Sequence, residues 1–360
     1  MRYQHLLSAI SGSLVAIAIG LANSPVQANQ GQATFDTLYV FGDSSSDDGN
    51  FFADYGPKMS PTFPIYYPTG AFTNGTVWAN YLVDMGVANI QDNRAYGGAM
   101  SGSHGEPARM GIAAAPVPTG LRTQIDNFAG QINGNDLVGV WIGFNDYLFG
   151  GLYGMDNAPD AVVGNIAEAI VRLNALGARH IMVFNLPDLS RVPLAAFLDP
   201  AQARQLGTAS AVHNALLASA VSRLRVQLDA EIVIIDIFAA MSQIVGYPER
   251  FGFTNATDSC ILVLGDGQTA IPNPFSPCRV SDGGTPNYPF DDQLDPTGFV
   301  FWDPLHPTTA SHQFLAGFTA ATLASHAFGT ATYGSKAHAT TSSGRAVFMC
   351  ADPADGTWCY

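Results

Sequence analysis

The fold is decided by the stretch Thr37-Leu38-Tyr39-Val40-Phe41-Gly42-Asp43-Ser44 near the start of the chain. Its first five residues are mainly β-branched or aromatic, which is typical of a short buried strand, and Gly42 favours a turn at its end. In parallel sheets, ligands bind beyond the carboxyl ends of the strands, which is where Ser44 would lie. Ser44 is therefore a candidate site residue, although serine and aspartate after a turn are also typical of a helix N-cap.

Further along the chain, strand-like runs alternate with helical patterns. Short apolar runs occupy residues 137–142, 180–184 and 231–235. Helical patterns cover residues 161–176, 203–228 and 309–326. Strands of continuous apolar character that alternate with helices indicate a parallel sheet covered on both faces. The pattern therefore predicts an α/β fold.

Charge and composition exclude two broad classes of protein. The chain has 360 residues, with 15 Lys and Arg against 29 Asp and Glu, and a net charge of −14. Such an acidic protein repels phosphate backbones, so no nucleic-acid partner is expected. Hydrophobic residues make up 47% of the chain and charged residues only 12%, which excludes extended disorder.

The start of the chain, residues 1–28, has the pattern of a signal peptide. Arg2 supplies a positive start, residues 6–21 form an uncharged and mostly apolar run, and Val26-Gln27-Ala28 resembles a cleavage site with small residues. An uncleaved membrane anchor is the alternative, but serine and glycine interrupt the apolar run. We predict cleavage near Ala28 and a secreted or periplasmic protein.

All four cysteines lie in the C-terminal third of the chain. Their spacing is not that of a zinc site, so we expect structural disulfides, which agree with export. Three pairings are open, and the one that closes the shortest loops joins Cys260 to Cys278 and Cys350 to Cys359. We interpret residues 254–298 as a long loop held by a disulfide, and residues 329–360 as a C-terminal tail outside the core with a further disulfide.

Two further motifs place polar groups at the ends of predicted elements. Gly143-Phe144-Asn145-Asp146 follows a buried strand, where the Asn145 amide can donate to a developing oxyanion or form an Asx turn. Asp303-Pro304-Leu305-His306 precedes the last helix. There the carboxylate can fix the tautomer of the imidazole, although such a pair can also cap a helix. Together with Ser44, these groups predict one catalytic site at one edge of the sheet.

As a set, these motifs resemble the sequence blocks of the SGNH (GDSL-type) lipases and esterases. Residues 42–50 resemble the first block, with Ser45 where leucine is usual, and the second, third and fifth blocks are similar to residues 93–99, 143–146 and 303–306. Accessory matches favour the branch with thermolabile haemolysin-like and phospholipase/acyltransferase members, at residues 72–78, 186–189, 213–214 and 251–253. The resemblance covers about residues 36–326.

The resemblance implies a flavodoxin-like three-layer sandwich in residues 29–328, with a central parallel sheet of about five strands and helices on both faces. It makes Ser44 the nucleophile, His306 the general base and Asp303 the residue that orients the base. The backbone N–H groups of Ser44 and Gly98 and the side-chain amide of Asn145 would form the oxyanion hole. It implies neither a metal nor a cofactor.

The substrate implied by this resemblance is a small-molecule or lipid ester, with transient contact with lipid surfaces. A carbohydrate O-acetylesterase would use the same groups on a different leaving group. Two interpretations from other classes are a non-catalytic binding module on the same fold and a structural surface protein. Turnover of p-nitrophenyl esters that is abolished by Ser44→Ala would separate an enzyme from both.

Overall fold

The computed structural model describes residues 34–106, 117–150, 154, 156–264, 269–274, 276, 278 and 294–326, and the backbone of 337–340, 346–351 and 358–359. The expected signal peptide, residues 1–28, lies outside the described residues. Within the described ranges, no helix is both long enough and apolar enough to span a membrane.

The central sheet has five parallel strands in the order β2-β1-β3-β4-β5. The strands are β1 (Phe35–Gly42), β2 (Ala88–Asn93), β3 (Leu137–Trp141), β4 (His180–Phe184) and β5 (Glu231–Ile235). In a sheet of this order, the direction of winding reverses between β1 and β3, and ligands bind at that point beyond the strand ends. Ser44 follows β1 and Asn145 follows β3, so the predicted site residues flank the reversal.

Helices cover both faces of this sheet, which confirms the predicted three-layer α/β sandwich. The helices are α1 (Asn50–Tyr55), α2 (Phe63–Tyr66), α3 (Trp78–Asp84), α4 (Leu121–Asp126), α5 (Phe144–Phe149), α6 (Pro159–Ala175), α7 (Pro200–Gln227), α8 (Ile237–Gly246) and α9 (Thr309–Ser325). Residues of α3, α8 and α9 share one apolar core with Val40, and residues of α4, α6 and α7 share a second core with Phe41. Successive strand residues point to opposite faces, so neighbouring residues of β1 enter different cores.

The segment 254–298 contains short strands, so the interpretation as a loop is wrong in part. These strands are β6 (Asn255–Ser259), β7 (Ile261–Val263) and β8 (Ala270–Pro272), and β9 (Phe299–Phe301) follows. β6 pairs with β9, and β7 pairs with β8. The predicted disulfide between Cys260 and Cys278 is confirmed, and it brackets the β7–β8 pair.

The C-terminal segment also contains strands, which its composition did not indicate. They are β10 (Ala337–Thr340), β11 (Ala346–Ala351) and β12 (Trp358–Cys359), and they pair antiparallel. The backbone register sets Cys350 opposite Cys359. Their side chains lie outside the described residues, so this second disulfide stays a prediction.

Candidate active site

Ser44 stands on a tight turn at the carboxyl end of β1. The backbone carbonyl of Asp43 accepts hydrogen bonds from the N–H groups of Ser46 and Asp47, both at 3.0 Å. The Asp43 carboxylate accepts the N–H of Ser45 at 2.9 Å. Hydrogen bonds therefore close the turn on both sides of Ser44 and hold its hydroxyl beyond the carboxyl end of β1.

The structure brings Ser44, His306 and Asp303 into one hydrogen-bonded chain. Ser44 Oγ lies 2.8 Å from His306 Nε2, and His306 Nδ1 lies 2.6 Å from Asp303 Oδ2. Asp303 is 2% exposed and the His306 side chain 12%, so the pair is shielded while the imidazole still reaches solvent. This serine–imidazole–carboxylate geometry can remove a proton from the serine hydroxyl and stabilise the imidazolium that forms.

The loop that carries Asp303 and His306 is fixed by its own backbone. The N–H of Trp302 donates to the carbonyl of His306 at 2.8 Å, and the N–H of Thr308 donates to the carbonyl of Val300 at 2.9 Å. Asp303 Oδ1 accepts the N–H groups of Leu305 and His306 at 2.8 and 2.9 Å. The carboxylate thus organises the turn that presents the imidazole.

Tyr67 also belongs to this network of hydrogen bonds, a role that the sequence did not indicate. Its hydroxyl donates to Asp303 Oδ2 at 2.7 Å, and the residue is 1% exposed. Burial alone would raise the pKa of Asp303, but the facing His306 and the hydrogen bonds from His306, Tyr67 and Leu305 hold that pKa below its ordinary value. Asp303 is therefore a carboxylate at neutral pH. Tyr67 directly precedes the Pro68-Thr69-Gly70 turn, and nothing in its sequence context marks a hydroxyl aimed at a residue so distant in the chain.

Gly98 occupies a position that favours glycine. Its φ is +76°, which side chains with a Cβ rarely adopt, and a Cβ there would lie 3.3 Å from the backbone nitrogen of Glu106. The preceding N–H of Gly97 donates to the buried Asp47 carboxylate at 2.7 Å. In the part of the chain that the structure describes, the N–H groups of Ser44 and Gly98 donate to no protein acceptor. Both are therefore available to a ligand.

Asn145 lies at the start of α5, directly after β3, and is 4% exposed. Among the described residues, its amide nitrogen donates one hydrogen bond, to the carbonyl of Ala99 at 2.9 Å, so that the side chain is tied to the residue after Gly98. An amide nitrogen carries two hydrogens, and the second stays available to another acceptor. The Asn145 amide on α5 is thus held beside the loop that carries Gly98, the other predicted oxyanion donor.

The family model of the GDSL-like lipases and acylhydrolases matches residues 38–317. The chain belongs to this family. It is accordingly an enzyme of a group that acts on carboxylic ester bonds, which does not favour the binding-module and surface-protein interpretations. The family also accounts for the resemblance of the sequence blocks described above.

Two relatives of this GDSL-family chain come from bacteria. The phosphatidylcholine-sterol acyltransferase of Aeromonas hydrophila is 28% identical over 326 residues, which cover 83% of this chain and 93% of that protein. The thermolabile hemolysin of Vibrio parahaemolyticus is 25% identical over 291 residues, which cover 78% of this chain and 62% of that protein. Among solved structures, the α/β hydrolase LAE5 from the metagenome of Lake Arreo is 15% identical, with a TM-score of 0.43, and the match covers 81% of this chain and 95% of that one.

In this GDSL-family enzyme, Asp146 anchors the loop that carries Gly98 to α5. Its carboxylate accepts the N–H of Ser101 at 2.9 Å and the Ser101 hydroxyl at 2.6 Å. Asn165 on α6 donates to the same hydroxyl at 3.0 Å. Burial raises the pKa of Asp146 to about 6, while the hydrogen bonds from Ser101 oppose that rise. Asp146 thus fixes the position of Ser101 and of the loop that carries Gly98 relative to α5.

An apolar cleft begins at Ser44 and His306. Buried residues that line it include Leu186, Ile237, Met241 and Phe301. A second cleft, lined in part by Asp188, Arg191 and Ser242, adjoins the first, and the two clefts share Pro187, Val192, Met241 and Phe301. These shared side chains form the boundary between the two clefts.

Among the described residues, no three His, Cys, Asp or Glu side chains are grouped so that they could hold a metal ion.

Proposed function

We propose that this protein is an exported serine ester hydrolase that acts through an acyl-serine intermediate, with Ser44 as nucleophile, His306 as general base and Asp303 as the residue that orients the base. The observation that carries this proposal is the chain of contacts from Ser44 Oγ through His306 to Asp303, at 2.8 and 2.6 Å. A nucleophile, a base and an orienting carboxylate within hydrogen-bond reach are the signature of nucleophilic catalysis.

In the first half of the reaction, Ser44 Oγ attacks the carbonyl carbon of the ester while His306 Nε2 takes its proton. The tetrahedral intermediate collapses when the carbon–oxygen bond to the alcohol breaks, and His306 returns the proton to that leaving oxygen. In the second half, water or another alcohol loses a proton to His306 and attacks the acyl-serine. Ser44 then leaves with the proton, so that the enzyme is restored.

The negative oxygen of each tetrahedral intermediate would be held by the N–H groups of Ser44 and Gly98 and by the Asn145 amide. Support comes from the free donors at Ser44 and Gly98 and from the hydrogen bond between Asn145 and Ala99, at 2.9 Å, which holds the amide beside Gly98. Donors that are fixed before the reaction cost no reorganisation when charge develops.

For the substrate, we propose an ester with an apolar acyl chain that lies in the cleft beside Ser44. Support comes from the buried apolar walls of that cleft, since such surface favours the transfer of methylene groups from water. The Aeromonas hydrophila relative is named a phosphatidylcholine-sterol acyltransferase, which extends the proposal to lipid esters, to transient contact with lipid surfaces and to an alcohol as acyl acceptor. A carbohydrate O-acetylesterase would need no apolar cleft beside the nucleophile.

Export is part of the proposal. The mature chain would begin after Ala28, residues 29–328 would form the hydrolase domain, and residues 329–360 would be a C-terminal extension. The signal-peptide pattern supports this assignment, and so does the disulfide between Cys260 and Cys278, a bond typical of proteins that leave the reducing cytosol. N-terminal sequencing of the protein recovered from culture medium and periplasm would locate the cleavage.

The experiment that tests the function is turnover of p-nitrophenyl esters of increasing chain length, combined with labelling by an alkyl phosphonate. We expect hydrolysis by the intact protein, none by Ser44→Ala, and mass spectrometry that places the phosphonyl group on Ser44. Absence of both turnover and labelling in a folded protein would refute the proposal.

A further inference from the structure

Tyr67 is buried and held rigidly beside the proposed catalytic residues. Its ring stacks on Phe63, with 4.3 Å between the centroids and 25° between the planes. Trp302 Nε1 donates to the carbonyl of the neighbouring Tyr66 at 3.0 Å, which ties this segment to the residue before Asp303. The Tyr67 hydroxyl therefore has a fixed position, and it lies 2.7 Å from Asp303 Oδ2.

We propose that Tyr67 is a positioning residue of the reaction, because its hydroxyl shares Asp303 Oδ2 with His306 Nδ1 and so sets both the orientation of the carboxylate and its hold on the imidazole. This inference rests on the proposed function and adds a fourth member to its residues. The motifs that resemble the family do not include Tyr67, and its assignment follows from the hydrogen bond alone.

The hydrogen-bond arrangement around Asp303 explains why the tyrosine matters. Oδ1 accepts two backbone N–H groups from its own turn, and Oδ2 accepts one bond from His306 and one from Tyr67. A carboxylate in a buried site needs all of these partners, because water does not replace a missing one. Without the tyrosine, Oδ2 would direct its full charge at His306.

Two consequences follow for catalysis. The Oδ2 atom would lose one of its two constraints, so the imidazole would sample positions farther from Ser44 Oγ. The carboxylate would also hold the protonated imidazole more tightly, since its charge is no longer shared with a second donor. The first effect lowers kcat, and the second moves the rise of activity with pH to higher pH.

Phe72 gives this arrangement a second constraint on the same side. Its ring lies 5.2 Å from the His306 ring and 6.0 Å from the Tyr67 ring, measured between centroids. Tyr67 and His306 are thus packed against a common aromatic side chain. Replacement of Tyr67 by phenylalanine keeps the ring and its contacts, and removes only the hydroxyl.

The test compares Tyr67→Phe with the matched control Tyr81→Phe. The Tyr81 hydroxyl is hydrogen-bonded to Thr309 at 2.8 Å, at the start of α9. Each variant therefore loses one tyrosine hydroxyl and its hydrogen bond, but Tyr81→Phe does not change the contacts of Asp303. For Tyr67→Phe we expect kcat to fall about tenfold with little change in KM, and the midpoint of the pH–rate profile to rise by about half a unit. The control should keep the midpoint of the original enzyme.

A double variant shows whether the tyrosine acts through Asp303. In an Asp303→Asn background, Tyr67→Phe should change kcat by less than twofold, because the charge with which the hydroxyl interacts is already absent. A full tenfold loss in that background, or a Tyr67→Phe profile identical to that of the control, would overturn the inference.

One further readout does not need a substrate. In protein labelled with ¹⁵N-histidine, the Nδ1 proton of His306 should resonate at low field because of its bond to Asp303, and Tyr67→Phe should shift that resonance. A shift without any ester turnover in the original enzyme would refute the proposed function and keep this contact intact. An unmoved resonance beside normal turnover would refute the role of Tyr67 alone.

Discussion

His306 Nε2 lies 2.8 Å from Ser44 Oγ, although 262 positions in the sequence separate the two residues. The contact depends on two independent local structures, the turn after β1 and the loop between β9 and α9. Each is fixed by its own backbone hydrogen bonds, so the two groups meet without a long flexible connection. Because this hydrogen bond is formed before the substrate binds, the entropic cost of bringing base and nucleophile together is no part of the reaction barrier.

Removal of either partner in this contact should abolish ester hydrolysis. For Ser44→Ala and for His306→Ala we expect kcat to fall by a factor on the order of 10⁴ to 10⁶, because nucleophile and base act as one unit. Steady-state kinetics with a p-nitrophenyl ester measures the loss, and circular dichroism confirms that each variant is folded. If Ser44→Ala kept activity within tenfold of the original, another nucleophile would be at work.

Loss of the Asn145 amide should have a smaller effect. In Asn145→Ala we expect kcat to fall by roughly 10² to 10³, because the N–H groups of Ser44 and Gly98 still bind the oxyanion. KM should change little, since the amide acts on charge that develops only in the transition state. The matched control is Asn165→Ala, whose amide donates to Ser101 Oγ at 3.0 Å and should cost less than tenfold. Equal losses in the two variants would argue for a structural role of Asn145.

Met241 should limit the length of the acyl chain. It is buried, with 6% of its surface exposed, and it belongs to the boundary between the apolar cleft at Ser44 and the second cleft beside it. In Met241→Ala the two clefts should join. The kcat/KM of esters with long acyl chains should then rise relative to that of esters with short chains. Each further methylene that enters would contribute up to about 0.8 kcal/mol, or roughly fourfold in kcat/KM.

A chain-length series of p-nitrophenyl esters measures this shift in preference. The control is Met182→Ala, which leaves a similar cavity at a fully buried methionine of β4 that lines neither cleft. Both variants should lose stability, but only Met241→Ala should change the order in which the esters rank by kcat/KM. An unchanged order would exclude the cleft as the acyl site.

The sequence predicted those parts of the fold that depend on hydrophobic patterning. The residues of β3 are buried throughout and the run was recognised from its continuous apolar character. By contrast, β2 was not recognised, because Ala-Asn-Ile-Gln-Asp-Asn is polar and forms the edge strand of the sheet, paired with only one other strand among the described residues. Its polar side chains are used instead, as Asn93 donates to the carbonyl of Ser46 at 2.7 Å.

The site residues were predictable only where they occur in short motifs. Ser44, Asn145, Asp303 and His306 each follow a strand or precede a helix, and that position made them candidates. Tyr67 bonds Asp303 across 236 positions of sequence, and the spacing of residues contains no information on such a contact. Met241 likewise reaches the cleft only through the packing of α8 against the sheet.

Acid should destabilise the protein through His312. The residue is 1% exposed, and within the described part of the chain neither ring nitrogen has a hydrogen-bond partner. Burial, together with the nearby His306, lowers the pKa of His312 to about 3. In the unfolded chain an imidazole titrates near ~6.5, so below that pH the unfolded state binds a proton that the folded state excludes. Stability that is complete above pH ~6.5 is therefore lost as the pH falls toward the folded value.

The size of this effect is measured against His312→Leu, in which nothing titrates. Between pH ~7 and ~5, the original protein should lose about 2 kcal/mol more free energy of unfolding than the variant. Denaturant unfolding at the two pH values gives both numbers, and contributions from other groups cancel in the comparison. The same pH dependence in both proteins would mean that His312 takes up its proton as readily in the folded protein as in the unfolded chain.

The disulfide between Cys260 and Cys278 should support the active site as well as the fold. Ile261, next to Cys260, donates its N–H to the carbonyl of Trp302 at 2.9 Å, and Trp302 in turn donates to His306. The disulfide therefore constrains the start of β7, which is hydrogen-bonded to the loop that carries Asp303 and His306. Its sequence separation of 18 residues corresponds to roughly 3 kcal/mol of lost freedom in the unfolded chain.

We expect the double variant Cys260→Ala/Cys278→Ala to unfold at a temperature lower by roughly 5 to 10 °C, and to lose kcat at temperatures where it is still folded. The loss of kcat arises because the imidazole must stay within hydrogen-bond reach of Ser44 Oγ. Calorimetry and ester kinetics on the same preparation measure both effects. The control is Cys350→Ala/Cys359→Ala, which removes the other pair of cysteines and should leave kcat unchanged. A first double variant with lower thermal stability but full kcat would show that the disulfide stabilises the β7–β8 segment without holding the catalytic loop.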